Sequence, residues 1–181
     1  NYRHLFAEAG MHNLIVGAGY RTIRSEAEMV PPSAVSRANR TDQLFSAFVE
    51  DTLSLAERLK LTLGVKVEHN DYTVIEWQPS ARIRWSPATG GTLWASVARA
   101  VRTPSIIEDS ARFISFVAPS RLTGGLPMAV TSNGSASLSA EQLTAYELGY
   151  RIQLTPKLSV DATAFLNDYH RLVTVDMIDS P

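Results

Sequence analysis

The feature that most constrains this chain is a period-two alternation of apolar and polar residues, recurring in segments of about ten residues. From Leu59 to Asn70 it is unbroken. Leu59, Leu61, Leu63, Val65 and Val67 fall on one parity, and Lys60, Thr62, Gly64, Lys66, Glu68 and Asn70 on the other. Successive side chains of an extended strand point to opposite faces, so this segment is a strand with one apolar and one wet side. Residues 76–87 repeat the pattern, with Trp77, Pro79, Ala81, Ile83 and Trp85 opposite Glu76, Gln78, Ser80, Arg82, Arg84 and Ser86. Residues 146–154 set Tyr146, Leu148, Tyr150, Ile152 and Leu154 against Glu147, Gly149, Arg151 and Gln153. Less regular versions cover 13–23, 43–54, 92–103 and 158–172, and a short strand is predicted near 2–8. The chain therefore reads as all-β, with roughly eight strands.

The connections sort into two sets that alternate along the chain. Short ones fall near 10, 57, 89 and 156; longer ones cover 25–40, 71–75 and 104–140. An antiparallel meander with all its tight turns at one end and all its long loops at the other produces this order, and outer-membrane barrels are built that way. Trp77 and Trp85 share a parity eight residues apart. At ~3.4 Å per residue they lie ~27 Å apart along a strand. Tilted by ~40°, that is roughly 20 Å of height, near the ~25 Å apolar band between aromatic girdles. The same pair also fits a core strand of a soluble protein.

Helical signals are few. Within 104–116, Thr103 as N-cap, Pro104 at the first helical position, and Ile106, Ile107, Ser110, Phe113 and Ile114 at helical spacing predict a short helix inside the long loop. Ser139 and Gln142 resemble a capping box, but strict alternation takes over from Tyr146 and argues for a strand. Glycines 17, 19, 64 and 149 sit inside strand patterns, where they allow bends and close approach.

Composition removes several functional classes. A net charge of −1 over 181 residues lacks the basic footprint of a nucleic-acid binder. No apolar run is long enough for a transmembrane helix. Zero cysteines exclude disulfides, thiolate metal sites and cysteine catalysis. There is no Gly-x-Ser-x-Gly elbow and no phosphate loop. Histidines 4, 12, 69 and 170 share no ligand spacing, and Glu50 and Asp51, being adjacent on a strand, face opposite sides. The expectation is a chain that is not an enzyme and carries no cofactor or metal. It opens at Asn1 without Met or a signal peptide and stops at Pro181, as expected of a piece of a longer protein.

Three stretches in order resemble one family. Residues 92–105, ending Val101-Arg102-Thr103-Pro104-Ser105, are similar to an ascending strand that closes on Arg-x-Pro-Ser. Asn133, Leu138, Glu141 and the run Tyr146-Glu147-Leu148-Gly149-Tyr150 are similar to an "Asn, Leu, Pro-Glu, then Tyr-Glu-Leu-Gly" strand entry, with Ala140 in place of the proline. Phe48-Val49-Glu50-Asp51 followed by Leu59 to Glu68 resembles a strand–turn–strand ending Leu-Gly-x-Arg-x-Glu, with Lys66 for the arginine. Phe165-Leu166-Asn167-Asp168-Tyr169 fits the strand that follows. Together they resemble the barrel of TonB-dependent outer-membrane receptors. The resemblance implies a transmembrane antiparallel β-barrel segment in the bacterial outer membrane, about eight strands of a larger barrel, with the plug domain and C-terminal strands absent. It implies active uptake of a metal chelate such as a siderophore, of cobalamin, or of a similar nutrient. Its partners would be outer-membrane lipid and, through the missing plug, the TonB complex.

The candidate binding residues follow from parity. Arg82, Arg84 and Arg102 fall on the polar face, which a barrel turns into its lumen. There their guanidinium groups could meet an anionic siderophore or the plug, or simply form salt-bridged ladders across strands. Arg99 falls on the apolar parity. A charge at the lipid midplane costs ~2–4 kcal/mol, so it is expected near the outer interface, within reach of lipid phosphates. The loop 104–140 exceeds the ~12–15 residues of an ordinary connection. It holds Ile106, Ile107, Phe113, Ile114, Phe116, Leu122 and Met128, fitted either to cover a ligand or to pack against neighbouring loops. Two rival readings remain: a soluble eight-stranded lipocalin-like binding barrel, with the apolar parity inward, and a structural or adhesive β-domain.

Overall fold

Each period-two segment becomes a strand, and each strand pairs with the next long strand in sequence. The computed structural model describes residues 2–9, 11–26, 28, 33–35, 39–88, 90–119, 121 and 124–174. The elements run β1 (Tyr2–Ala9), β2 (His12–Glu26), β3 (Ala34–Val35), β4 (Asn39–Ala56), β5 (Leu59–Asn70), β6 (Val74–Trp85), β7 (Gly91–Arg102), α1 (Ile106–Ser110), β8 (Ala111–Pro119), β9 (Pro127–Asn133), β10 (Glu141–Thr155) and β11 (Leu158–His170). Eight strands form one sheet in the order β1-β2-β4-β5-β6-β7-β10-β11, and β3, β8 and β9 form a second, three-stranded sheet.

Cross-strand partners share a face, so register decides which side chains stand together. Leu61 faces Ile83, Leu63 faces Ala81 and Val65 faces Pro79. Ile83 then faces Ala95, Ala95 faces Leu148, and Gly91 faces Ile152. All the residues expected on the apolar side thus lie on one face. It is uncovered: Leu63 is 45%, Ile83 42% and Leu148 52% exposed. Among the described residues, the buried apolar side chains are Pro104, Ala111 and Ala140. A soluble sheet covers its apolar face with a second layer; among the described residues this one has none. β1 and β11 do not pair with each other, so the sheet is open. The lipocalin alternative, which needs a closed barrel with that face inside, finds no support.

The opposite face is polar. Thr52 and Thr62 share a hydroxyl hydrogen bond at 2.9 Å, Lys66 pairs with Glu68 at 2.8 Å, and Arg151 Nε donates to Asp161 at 2.7 Å. Trp94 also lies on this face, flat against Gly149, where any Cβ would overlap its indole.

Tight turns at 57–58 and 156–157 lie at one end. Gly10 and Thr89, expected in the other two turns, fall outside the described residues, as does Leu122. The two long connections lie at the opposite end and meet there, Ala34 pairing with Arg112 and Val35 with Ala111. The connection expected over 71–75 is shorter, at 71–73, because Val74 and Ile75 already belong to β6. The Tyr72 and Thr73 amides donate to Asn70 Oδ1 at 3.0 and 2.9 Å, and this side-chain turn needs no further residues. The short helix is also smaller than predicted. Its N-cap is Ser105, not Thr103, and Ser105 and Glu108 form a capping box. Ala111 then turns extended, since pairing of β8 with β3 and β9 claims residues 111–119. Residues 139–142 form no helix, as expected.

Candidate functional site

The end that gathers the long connections holds two charged networks and one apolar hairpin. The first network is built on Arg102, the last residue of β7. Its Nε donates to Glu141 at 2.6 Å, across the strand pair. Its two terminal nitrogens donate to both oxygens of Glu108, at 3.1 and 2.6 Å. This fork matches planar guanidinium to planar carboxylate. Glu108 also accepts from the Ser105 amide at 2.8 Å, and Glu141 from the Val173 amide at 2.8 Å. The Arg-Thr-Pro-Ser run therefore ties the strand exit to α1 and to the chain leaving β11. The Arg102 fork, reinforced by Ser105, pulls the Glu108 carboxyl down to about 2.

The second network joins β4, the 71–73 turn and α1. Arg40 pairs with Asp42, and reaches Asp109 at 3.5 Å and the Asp71 carbonyl at 3.3 Å. Its guanidinium lies 4.1 Å from the Tyr72 ring centroid, and the Tyr72 hydroxyl donates to Asp42 at 3.0 Å. Burial, with the Asp42 carboxylate beside it, pushes the Tyr72 hydroxyl pKa up. The Arg40, Asp42 and Asp109 side chains are nearly enclosed. Arg40 and Asp109 lie 69 residues apart, and no spacing in the chain signals this cluster.

Above both networks, β8 and β9 form a hairpin with Gly124 and Gly125 in its tip, both at positive φ (68° and 93°), a backbone region glycine enters freely. Its apolar content is not consumed by packing: Phe113, Phe116, Val117 and Met128 are all exposed.

The three candidate arginines do not converge. Arg82 and Arg84 lie toward the turn end, Arg102 at the loop end. Arg82 faces Ser96, and from there to Arg102 is six residues, ~20 Å at ~3.4 Å per residue. Arg84 faces Lys60, a like-charge pair, and the Arg82 guanidinium lies 5.8 Å from the Trp94 ring centroid. Neither has a carboxylate within 4.0 Å among the described residues, whereas Arg102 has two. No group of three or more His, Asp or Glu able to hold a metal occurs among the described residues.

A family model described as TonB dependent receptor-like, beta-barrel, matches residues 1–181. The ferric enterobactin receptor of Pseudomonas aeruginosa is 30% identical over 129 residues, 70% of this chain and 17% of that protein. The chain thus spans less than a fifth of that relative's length. The siderophore receptor PirA of Acinetobacter baumannii superposes with a TM-score of 0.71 at 20% identity, over 90% of this chain and 25% of its own. A variant of the ferric enterobactin receptor PfeA of Pseudomonas aeruginosa gives 0.72 at 24% identity, over 90% and 25%.

Proposed function

The chain belongs to the TonB-dependent receptor β-barrel family, and from that premise we propose that it forms part of the wall of a bacterial outer-membrane receptor that takes up a ferric siderophore. The observation that carries this is the uncovered apolar face. Exposed apolar patches above a few hundred Å² are rare in soluble monomers, and here such a face runs across the sheet between Trp77 and Trp85, 55% and 49% exposed. Lipid is the solvent that fits it, with the two indoles at the two interfaces. The polar face then lines the lumen, and the gathered loops form the mouth.

In this reading the loop 104–140 contacts the siderophore through the exposed hairpin aromatics. Arg82 and Arg84, unmatched by carboxylates, face an anionic ligand or the plug. The plug domain and the remaining strands belong to chain beyond these residues, and the TonB complex acts through the plug. The role is transport, not catalysis.

The test is an iron-limited strain lacking its own siderophore receptors, expressing the full-length protein. Membrane fractionation and uptake of radiolabelled ferric enterobactin and other ferric siderophores are measured. TonB-dependent uptake with the protein in the outer membrane is the expected result. Localisation elsewhere, or no uptake of any ferric siderophore, overturns the reading.

A further inference from the structure

We propose that the cleft between β6 and β7 at the loop end binds the phosphate group of a membrane lipid through Arg99 and Arg171; this rests on the reading that the apolar face meets lipid. The β6–β7 ladder runs only from Trp85 facing Leu93 to Ser80 facing Ala98. The β7–β10 ladder continues to Arg102 facing Glu141. Beyond Ser80 the two strands part, and a cleft of about 470 Å³ opens there between the start of β6 and the connection 136–140, with Arg99, Gln142 and Arg171 also in its lining.

The charges there are unbalanced. In the orientation its neighbours require, the Gln142 carboxamide oxygen accepts from Arg99 at 2.9 Å and from Arg171 at 3.1 Å. Two guanidinium groups thus share one neutral oxygen. The only carboxylate within 4.0 Å of either, among the described residues, is Glu76, at 3.9 Å from Arg99. Asp168, the next acid on this face, pairs with His170 at 3.0 Å. Arg99 Nε is buried without a hydrogen-bond partner. A phosphate supplies the acceptors and the negative charge that this pair lacks, and arginine forks match its oxygens.

Backbone strain collects at the same place. Val74 (φ 69°) and Arg171 (φ 57°) are the only non-glycine residues with positive φ among the described ones, and both border the cleft. Such conformations persist where the surroundings hold them, often at ligand sites. The lipid origin of the phosphate follows from parity. Arg99 and Gln142 project from the apolar face, beside Ile75 and Trp77, which are 53% and 55% exposed. Tryptophan settles at headgroup depth, so a phosphate in the cleft has its acyl chains running down the apolar face.

The experiment uses the full-length receptor purified in a neutral maltoside detergent, with dodecyl phosphate and inorganic phosphate as probes and Tm as readout. Dodecyl phosphate is expected to raise Tm saturably, with apparent affinity about tenfold weaker in the Arg99→Gln/Arg171→Gln variant; inorganic phosphate at equal concentration leaves Tm unchanged. Where that variant fails to fold, Gln142→Glu sets a carboxylate between the guanidinium groups and is expected to abolish the dodecyl phosphate response. An equal response to inorganic phosphate overturns the lipid assignment. No response in the native receptor, or an undiminished response in the variants, overturns the site. Absence of the protein from the outer membrane fails the underlying reading. A receptor that resides there and imports its siderophore but ignores dodecyl phosphate fails this inference alone.

Discussion

Gly149 has no room for a side chain because the Trp94 indole lies against its Cα. That contact explains the glycine of the Tyr-Glu-Leu-Gly run: the strand gives up a side chain so that an aromatic ring can lie across it. Gly149→Ala in the full-length receptor is expected to cost roughly 1–3 kcal/mol through overpacking. The same change in a Trp94→Ala background is expected to cost much less, since the two residues are in contact; urea unfolding of the four proteins in lipid vesicles measures both. Glu108 makes a different prediction. Its folded pKa, about 2, lies below its usual 4.5. A depressed carboxyl contributes stability above its unfolded pKa and loses it as pH falls through the folded one. The anchoring of α1 by Arg102 is therefore expected to be intact above about pH 4.5 and to weaken between there and about pH 2. Hydrogen exchange in 104–110, corrected for intrinsic rates, should rise over that window in the native receptor and stay level in Glu108→Gln.

At the scale of elements, the loop 104–140 is a structure of its own. A capped helical turn is followed by a hairpin that pairs with β3 and otherwise stands clear of the eight-stranded sheet. Arg112 faces Asn133, and the Gly134 amide donates to the Ala111 carbonyl at 2.7 Å, so the hairpin leaves and returns at one point. Replacing 112–133 by Asn-Gly closes that gap with a two-residue turn. The barrel of the full-length receptor is expected to assemble unchanged, shown by heat-modifiable migration on gels. Under the proposed function, siderophore affinity on whole cells should fall about tenfold or more, as when clustered aromatic anchors are lost. Unchanged affinity would move the ligand contacts deeper, toward Arg82 and Arg84.

For the whole molecule, the proposed function sets the two faces of one sheet in different solvents, and neighbouring positions should then respond unequally to the same charge. Leu63 stands on the apolar face and Thr62 on the polar one. Leu63→Arg in the full-length receptor is expected to cost about 2–4 kcal/mol, as for a cation at bilayer mid-depth, and Thr62→Arg far less. Unfolding in lipid vesicles reads the difference. Equal costs would mean that the apolar face does not meet lipid.

Strand extents and faces were legible along the chain because alternation is a local property. The 59–70 segment came out with its predicted bounds, and Leu61, Ile83 and Leu148 share a face as their parity required. The turn end and loop end were legible too, since an antiparallel meander fixes them once the strands are known. Partners distant in the chain were not legible. Arg40 meets Asp109, Trp94 covers Gly149, and residues 111–116 turn from predicted helix to strand on pairing with β3 and β9. Register and loop closure make these contacts, and both depend on hydrogen bonds between segments tens of residues apart. The cleft beside Arg99 has the same origin: parity set the arginine on the apolar face, but the parting of β6 from β7 opened the space and the pairing of β11 with β10 brought Arg171 to it.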